Sequence, residues 1–209
     1  MSSKVIDLSI GCSKQTKGVK IKLQKKLPVY LGHACCAYDL EIKSHTGTYF
    51  ETSSHVFRNG KNTNEIPLEK LILPGRCVRI QDSNKCITAE KLNLLCPDLK
   101  PNFALLVDTG KDLKKYFSRS AAQWMAKHKV ALMGSNLPRY DTGFVNPTGF
   151  FIDLFKADIP IIANITNLDK LPESGFTLIV MPLKIAGICT CPARVAAMVE
   201  NKKAVSQLP

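Results

Sequence analysis

Ser44-His-Thr-Gly-Thr-Tyr-Phe-Glu-Thr-Ser-Ser-His55 is the stretch that decides how this 209-residue chain is read. His45, Tyr49, Glu51 and His55 are separated by even numbers of residues, so an extended chain would project them to one face, whereas a helix would scatter them. A straight strand still leaves His45 and Tyr49 about 13 Å apart at roughly 3.3 Å per residue, too far to share an ion. Joint ligation therefore requires the bend that Gly47 permits.

Outward from this stretch, the first half reads as mostly sheet, with short β-rich runs at Lys4 to Ile10, Val19 to Leu23, Tyr38 to Ile42 and Cys77 to Ile80. Val19, Ile21 and Leu23 alternate with lysines, the pattern of a half-buried strand with one solvated face. The second half alternates strand and helix. A helix is expected from about Ser120 to His128, capped by serine and followed by a strand at Val130 to Met133. Leu154 and Phe155 belong to another helix leading into a strand at Ile159 to Ile162. The continuous apolar runs Phe103 to Val107 and Phe176 to Met181 fit strands covered on both faces. The sum is a layered α/β protein. With no internal repeat or linker, residues 1–209 are expected to form one domain, residues 1–30 being a basic strand or arm region.

A hydrophobic content of 45% excludes a wholly disordered chain. The formal charge is +12, and residues 1–30 carry Lys4, Lys14, Lys17, Lys20, Lys22, Lys25 and Lys26 against the single acid Asp7. That surplus raises the question of a polyanion partner, but aromatic interleaving and a nucleic-acid motif are missing, so nucleic acid is the weakest partner reading. The opening residues lack the apolar core of a secretory signal, and no stretch approaches the roughly 18 apolar residues of a membrane span. A soluble, cytoplasmic protein is expected, its eight cysteines reduced thiols.

The stretch from Ser44 to His55 resembles the signature of the cyclase family of metal-dependent hydrolases, which includes bacterial kynurenine formamidase and isatin hydrolase: His, any, Gly-Thr-His, any, Asp, any, Pro, any, His. The similarity extends through Val5-Ile-Asp-Leu-Ser9, Gly60-Lys, Ile66-Pro-Leu-Glu69, Ile87-Thr-Ala-Glu90 and Ala104 to Gly110. It continues through Asn164 to Leu171, Met181 to Gly187 and Pro192-Ala-Arg194. The resemblance implies a swivelling β/β/α fold, a dimer or tetramer, and one or two divalent ions such as zinc or manganese. It also implies attack by a metal-bound hydroxide on an amide or lactam carbonyl, with the last histidine moving protons.

The chain departs from this pattern at the ligands. His45, Gly47-Thr48 and His55 match, but Tyr49 replaces the middle histidine, Glu51 the aspartate and Ser53 the proline. Two further ligand positions align with Phe151 and Ala163, neither of which binds metal. The matched set is His45, Glu51 and at best a phenol, whereas catalytic zinc usually has three protein ligands. The expectation is therefore a metal site that is weak or empty, and hydrolysis of a carbon–nitrogen bond that is altered or lost. His45 then reads first as a hydrogen-bonded pocket histidine, while His55 keeps a proton-transfer role, with Glu51 a candidate base beside it. Cys35, Cys36, Cys189 and Cys191 offer thiolates that would rebuild a metal site with His45 or His55, His33 joining them, though buried thiols are common core residues and an exposed loop is the plainer account of His33. Arg194 suits a carboxylate of a ligand or of the protein itself, and Phe151 would make the old pocket more apolar. The rival expectation is a non-catalytic homologue binding a small anionic molecule near His45, His55 and Arg194.

Overall fold

A computed structural model describes residues 3–25 and 28–200; Lys26 of the basic run lies outside them. The strands are β1 (Ser3–Asp7), β2 (Val19–Leu23), β3 (Val29–Tyr30), β4 (His33–Ala34), β5 (Tyr38–Ile42), β6 (Tyr49–Glu51) and β7 (Ile72–Arg79). They continue with β8 (Cys86–Ile87), β9 (Ala104–Asp108), β10 (Tyr116–Phe117), β11 (Leu132–Ser135), β12 (Ile161–Ala163), β13 (Phe176–Pro182) and β14 (Thr190–Glu200). The helices are α1 (Ala89–Leu95), α2 (Arg119–Lys127) and α3 (Phe150–Lys156).

Seven strands close a barrel in the order β14-β13-β7-β9-β11-β12-β6, with β6 returning to β14. β7, β9, β11 and β12 run parallel, and the remaining barrel pairs are antiparallel. β1 joins outside the ring, pairing with Ala196 to Glu200 of β14, whose first residues, Thr190 to Pro192, pair with β6.

The two-residue period of the strands sorts their side chains into two cores. Phe50, Cys77, Ala104, Leu106, Leu132, Ile162, Leu178 and Val195 belong to one cluster. Their neighbours Tyr49, Val78, Leu105, Val107, Met133, Ile161 and Ala163 belong to a second, shared with the helices. Helix α2 buries Ala121, Ala122, Trp124 and Met125, a stripe at helical spacing, and α3 buries Phe150, Leu154 and Phe155. Burying a Leu or Phe side chain stabilises by roughly 1.5–3 kcal/mol, so this shared layer holds the helices in place.

Several sequence expectations shift. Ser118, not Ser120, caps α2, accepting a hydrogen bond from Ala121 N at 3.2 Å. The strand after α2 begins at Leu132 rather than Val130 because Lys129, at φ 53°, makes the turn. β13 is not covered on both faces: Phe176, Leu178 and Val180 are buried, but Met181 is exposed and Thr177 and Ile179 are half-buried. β2 ends where expected, yet only Val19 of its apolar face is buried and Leu23 is exposed.

Candidate metal centre

Only Tyr49 to Glu51 of the signature stretch is strand; His45 lies in the preceding turn and Ser53 to His55 forms a 3-10 turn. These two reversals replace the straight strand of the sequence reading and fold both histidines back onto Glu51. Gly47 makes the first at φ 63°, a left-handed conformation natural to glycine. The second is braced by Gly60, where a Cβ would meet the Ser53 backbone at 2.4 Å, and by Lys61 N, which donates to Ser53 Oγ at 2.9 Å.

The result is a convergence of donors. His45 Nε2 lies 3.0 Å from Glu51 Oε2, and His55 Nδ1 lies 3.8 Å from the same oxygen. One ligand atom from each of the three falls within 4.8 Å of the others. Glu51 is almost fully buried, with a side chain 4% exposed against 48% for His45 and 34% for His55. Burial pushes its carboxyl up to about 7, opposed by the hydrogen bond from Thr190 Oγ1. Burial lowers both imidazoles, and the nearby His45 lowers His55 further. The buried carboxylate therefore faces two rings that disfavour the charged form, and among the described residues no lysine or arginine bridges to it.

That donor set fits a divalent ion. Two imidazole nitrogens and a carboxylate oxygen are the three-ligand set of one class of catalytic zinc site. Sequence counting credited His45, Glu51 and a phenol; the structure substitutes His55 for the phenol. Tyr49 Oη donates to Pro138 O at 3.3 Å, and burial, reinforced by Glu51, raises its hydroxyl to about 12, so it stays protonated near neutral pH.

The cluster opens into a cavity of about 710 Å³, walled mainly by Tyr49, Tyr140, Phe144, Phe151, Ile152, Ile161 and Ala163. Phe151 and Ala163 thus stand in its wall, and Phe151 stacks on Tyr140 with centroids 6.4 Å apart and planes 7° from parallel. Sequence reasoning missed Arg139 and Asp141, which line the same cavity. They lie beyond the carboxyl end of β11, where ligand sites gather in parallel sheets, and that topological rule is the signal that finds them. Asp141 Oδ1 accepts from Thr142 N and Thr148 N, both at 2.7 Å, and cinches the loop whose tip, Phe144, is 94% exposed.

Arg194 requires a correction. It lies outside the cavity wall, and its guanidinium is engaged by Asp7 through Nε at 3.0 Å and Nη2 at 2.8 Å, tying β14 to β1. Cys35, Cys36 and His33 are exposed in the N-terminal segment and line neither the cavity nor the cluster. Cys191 is buried on β14. Cys189 differs from them: its Sγ lies 3.6 Å from His55 Nδ1. All eight cysteines are free, and no helix among the described residues is long and apolar enough to cross a membrane.

A family profile described as putative cyclase matches residues 6–142. Kynurenine formamidase of Salinibacter ruber is 26% identical over 179 residues, covering 74% of this chain and 76% of that protein. Kynurenine formamidase of Bordetella petrii is 22% identical over 162 residues, covering 75% and 77%. Among solved structures, isatin hydrolase A from Labrenzia aggregata bound to benzyl benzoate superposes with a TM-score of 0.80 at 20% identity, over 94% of each chain. A predicted metal-dependent hydrolase from Bacillus stearothermophilus gives 0.75 at 22% identity, over 96% of this chain and all of that one.

Proposed function

The chain belongs to the cyclase family, and from that premise we propose that it is a divalent-metal hydrolase with an altered ligand set, acting on a carbon–nitrogen bond of an arylformamide or cyclic amide. The observation that carries this reading is the convergence of His45, Glu51 and His55 on the floor of an aromatic-walled cavity. Zinc or manganese held there would polarise a carbonyl and bring the pKa of water toward 7. Glu51 Oε2 serves the cluster, which leaves Oε1, without a hydrogen bond to the described residues, to accept a proton from the attacking water. With Nδ1 turned to the cluster, His55 keeps Nε2–H to hydrogen-bond the substrate, and the proton taken up by Glu51 passes on to the departing nitrogen. Tyr140 and Phe151 present ring faces suited to an aromatic substrate.

A second reading, binding of a small anionic molecule without turnover, draws on Arg139. Arg139 lines the cavity and has no carboxylate partner among the described residues, so it rather than Arg194 is the cation available to a ligand. A cytoplasmic dimer or tetramer belongs with either reading.

Metal analysis of the purified protein, then assay on N-formylkynurenine and isatin with added zinc or manganese, separates the two. About one equivalent of metal and metal-dependent turnover that Glu51→Gln abolishes are expected. Neither metal nor turnover, alongside binding of aromatic carboxylates that Arg139→Ala removes, would leave the second reading standing.

A further inference from the structure

We propose that Cys189 is a ligand of the ion held by His45, Glu51 and His55, joining them in a two-histidine, one-carboxylate, one-thiolate site that favours zinc over manganese or magnesium and takes water as a fifth ligand. This deepens the metal reading above and rests on it.

Distance comes first. Zinc binds sulfur at about 2.3 Å and nitrogen at about 2.0 Å, so two such donors on a tetrahedral ion lie roughly 3.5 Å apart. Cys189 Sγ and His55 Nδ1 are 3.6 Å apart. The pattern of contacts is equally telling. Were Cys189 a nucleophile relayed through His55 to Glu51, thiol and carboxylate would occupy opposite nitrogens of the ring. Both instead approach Nδ1, at 3.6 and 3.8 Å; Sγ stands at the His55 edge of the three-donor group, outside its 4.8 Å circle, so ligation requires the thiol to swing inward. His45 is arranged in keeping with this. Its Nδ1 lies 3.0 Å from Ser44 Oγ, and with that hydroxyl accepting, Nε2 presents its lone pair to Glu51 and the cluster.

The thiol is also anchored to the frame that carries the other donors. Thr52, between Glu51 and the turn of His55, donates to Cys189 O through its backbone N at 2.9 Å and through Oγ1 at 3.2 Å. The next residue, Thr190, pairs with Glu51 across β14 and β6 and donates to Glu51 Oε2 at 3.3 Å. Thr190 Oγ1 in turn lies 3.4 Å from Cys189 Sγ.

Charge supplies the reason for a fourth ligand. A divalent ion on one carboxylate and two neutral imidazoles keeps a net positive charge beside an apolar cavity, which is costly. A thiolate brings the sum to zero, its proton passing to solvent as the ion binds. Sulfur also tilts selectivity toward zinc and cobalt and away from the harder ions.

The test uses the full chain with the exposed Cys12, Cys35 and Cys36 changed to serine, titrated with cobalt(II). The expected result is an intense near-ultraviolet sulfur-to-cobalt charge-transfer band that saturates at one equivalent. Cys189→Ala and Cys189→Ser should lose the band and bind zinc at least about tenfold more weakly in competition with a chromophoric chelator. Unchanged far-ultraviolet circular dichroism would show that both variants fold. Stoichiometric cobalt without the band, or zinc affinity unchanged in both variants, would overturn the role of Cys189 and leave the three-donor reading intact. No binding of either ion by the parent chain would overturn both.

Discussion

In β6, β9 and β11 almost every side chain is buried, whereas all five residues of β5 are exposed, although each set mixes the same apolar residue types with a few polar ones. β5 pairs with β2 in a two-stranded ribbon that gathers Val19, Ile21, Leu23, Tyr38, Leu40 and Ile42 on one face, with Lys20 bonded to Glu41 on the other. Of the six, only Val19 is buried, and Leu40 is 63% exposed. The barrel strands differ in having a neighbour on each edge and a core on each face. Alternating hydrophobicity thus records which side chains would gain from burial; what covers them is decided by the rest of the fold. Isolated two-stranded ribbons are marginal in water.

Three measurements bear on this contrast. Phe50, fully buried on β6 and flanked by Tyr49 and Glu51, should cost about 3–5 kcal/mol on truncation in Phe50→Ala. Denaturant unfolding would show the loss, and metal affinity should fall with it because the same strand carries Glu51. Leu40→Ser in the ribbon should change unfolding by within about 0.5 kcal/mol, the range of exposed sites. A loss several times larger, or a fall in light-scattering mass, would mean that a second chain covers the ribbon and would dissolve the contrast. The smallest effect concerns the helical layer over the barrel, where Asp153 receives Arg119 Nε and Gln123 Nε2, each at 2.8 Å. The Arg119 hydrogen bond holds the Asp153 carboxyl below its ordinary 3.8, so its stabilisation is present above that value and is lost as pH falls through the lower folded value. Asp153→Asn should therefore be slightly less stable than the parent at pH 7 and equal to it in strong acid.

How much was legible follows the same division. β9 and the ribbon strands could be read from periodicity because their patterns are local. The start of α3 could not, since its cap is Gly149 at φ 81°, with no side-chain cap to announce it. The closed barrel and its strand order were not read at all: the family resemblance implied only a swivelling β/β/α fold, because pairing across a closed sheet leaves no trace in spacing. At the site, His45, Glu51 and the bend at Gly47 were visible in the sequence. His55 as the third donor beside His45 and Glu51 was not, being considered only together with the cysteines, because a 3-10 turn breaks the even spacing that suggested a shared face. Arg194 was open to a structural carboxylate as well as a ligand's, and Asp7 claims it, which removes it from the substrate. Cys189 could be suspected but not placed, since the contact that fixes it spans the whole fold.

The bond between Thr190 and Glu51 joins residues 139 positions apart. While a ribosome is still making the chain, β6 therefore waits, unpaired along one edge, until almost all the other strands have been synthesised. Such distant pairing makes folding slow. The strand that carries Glu51 is therefore among the last to be locked into the barrel, although its three donors are made within eleven residues of one another.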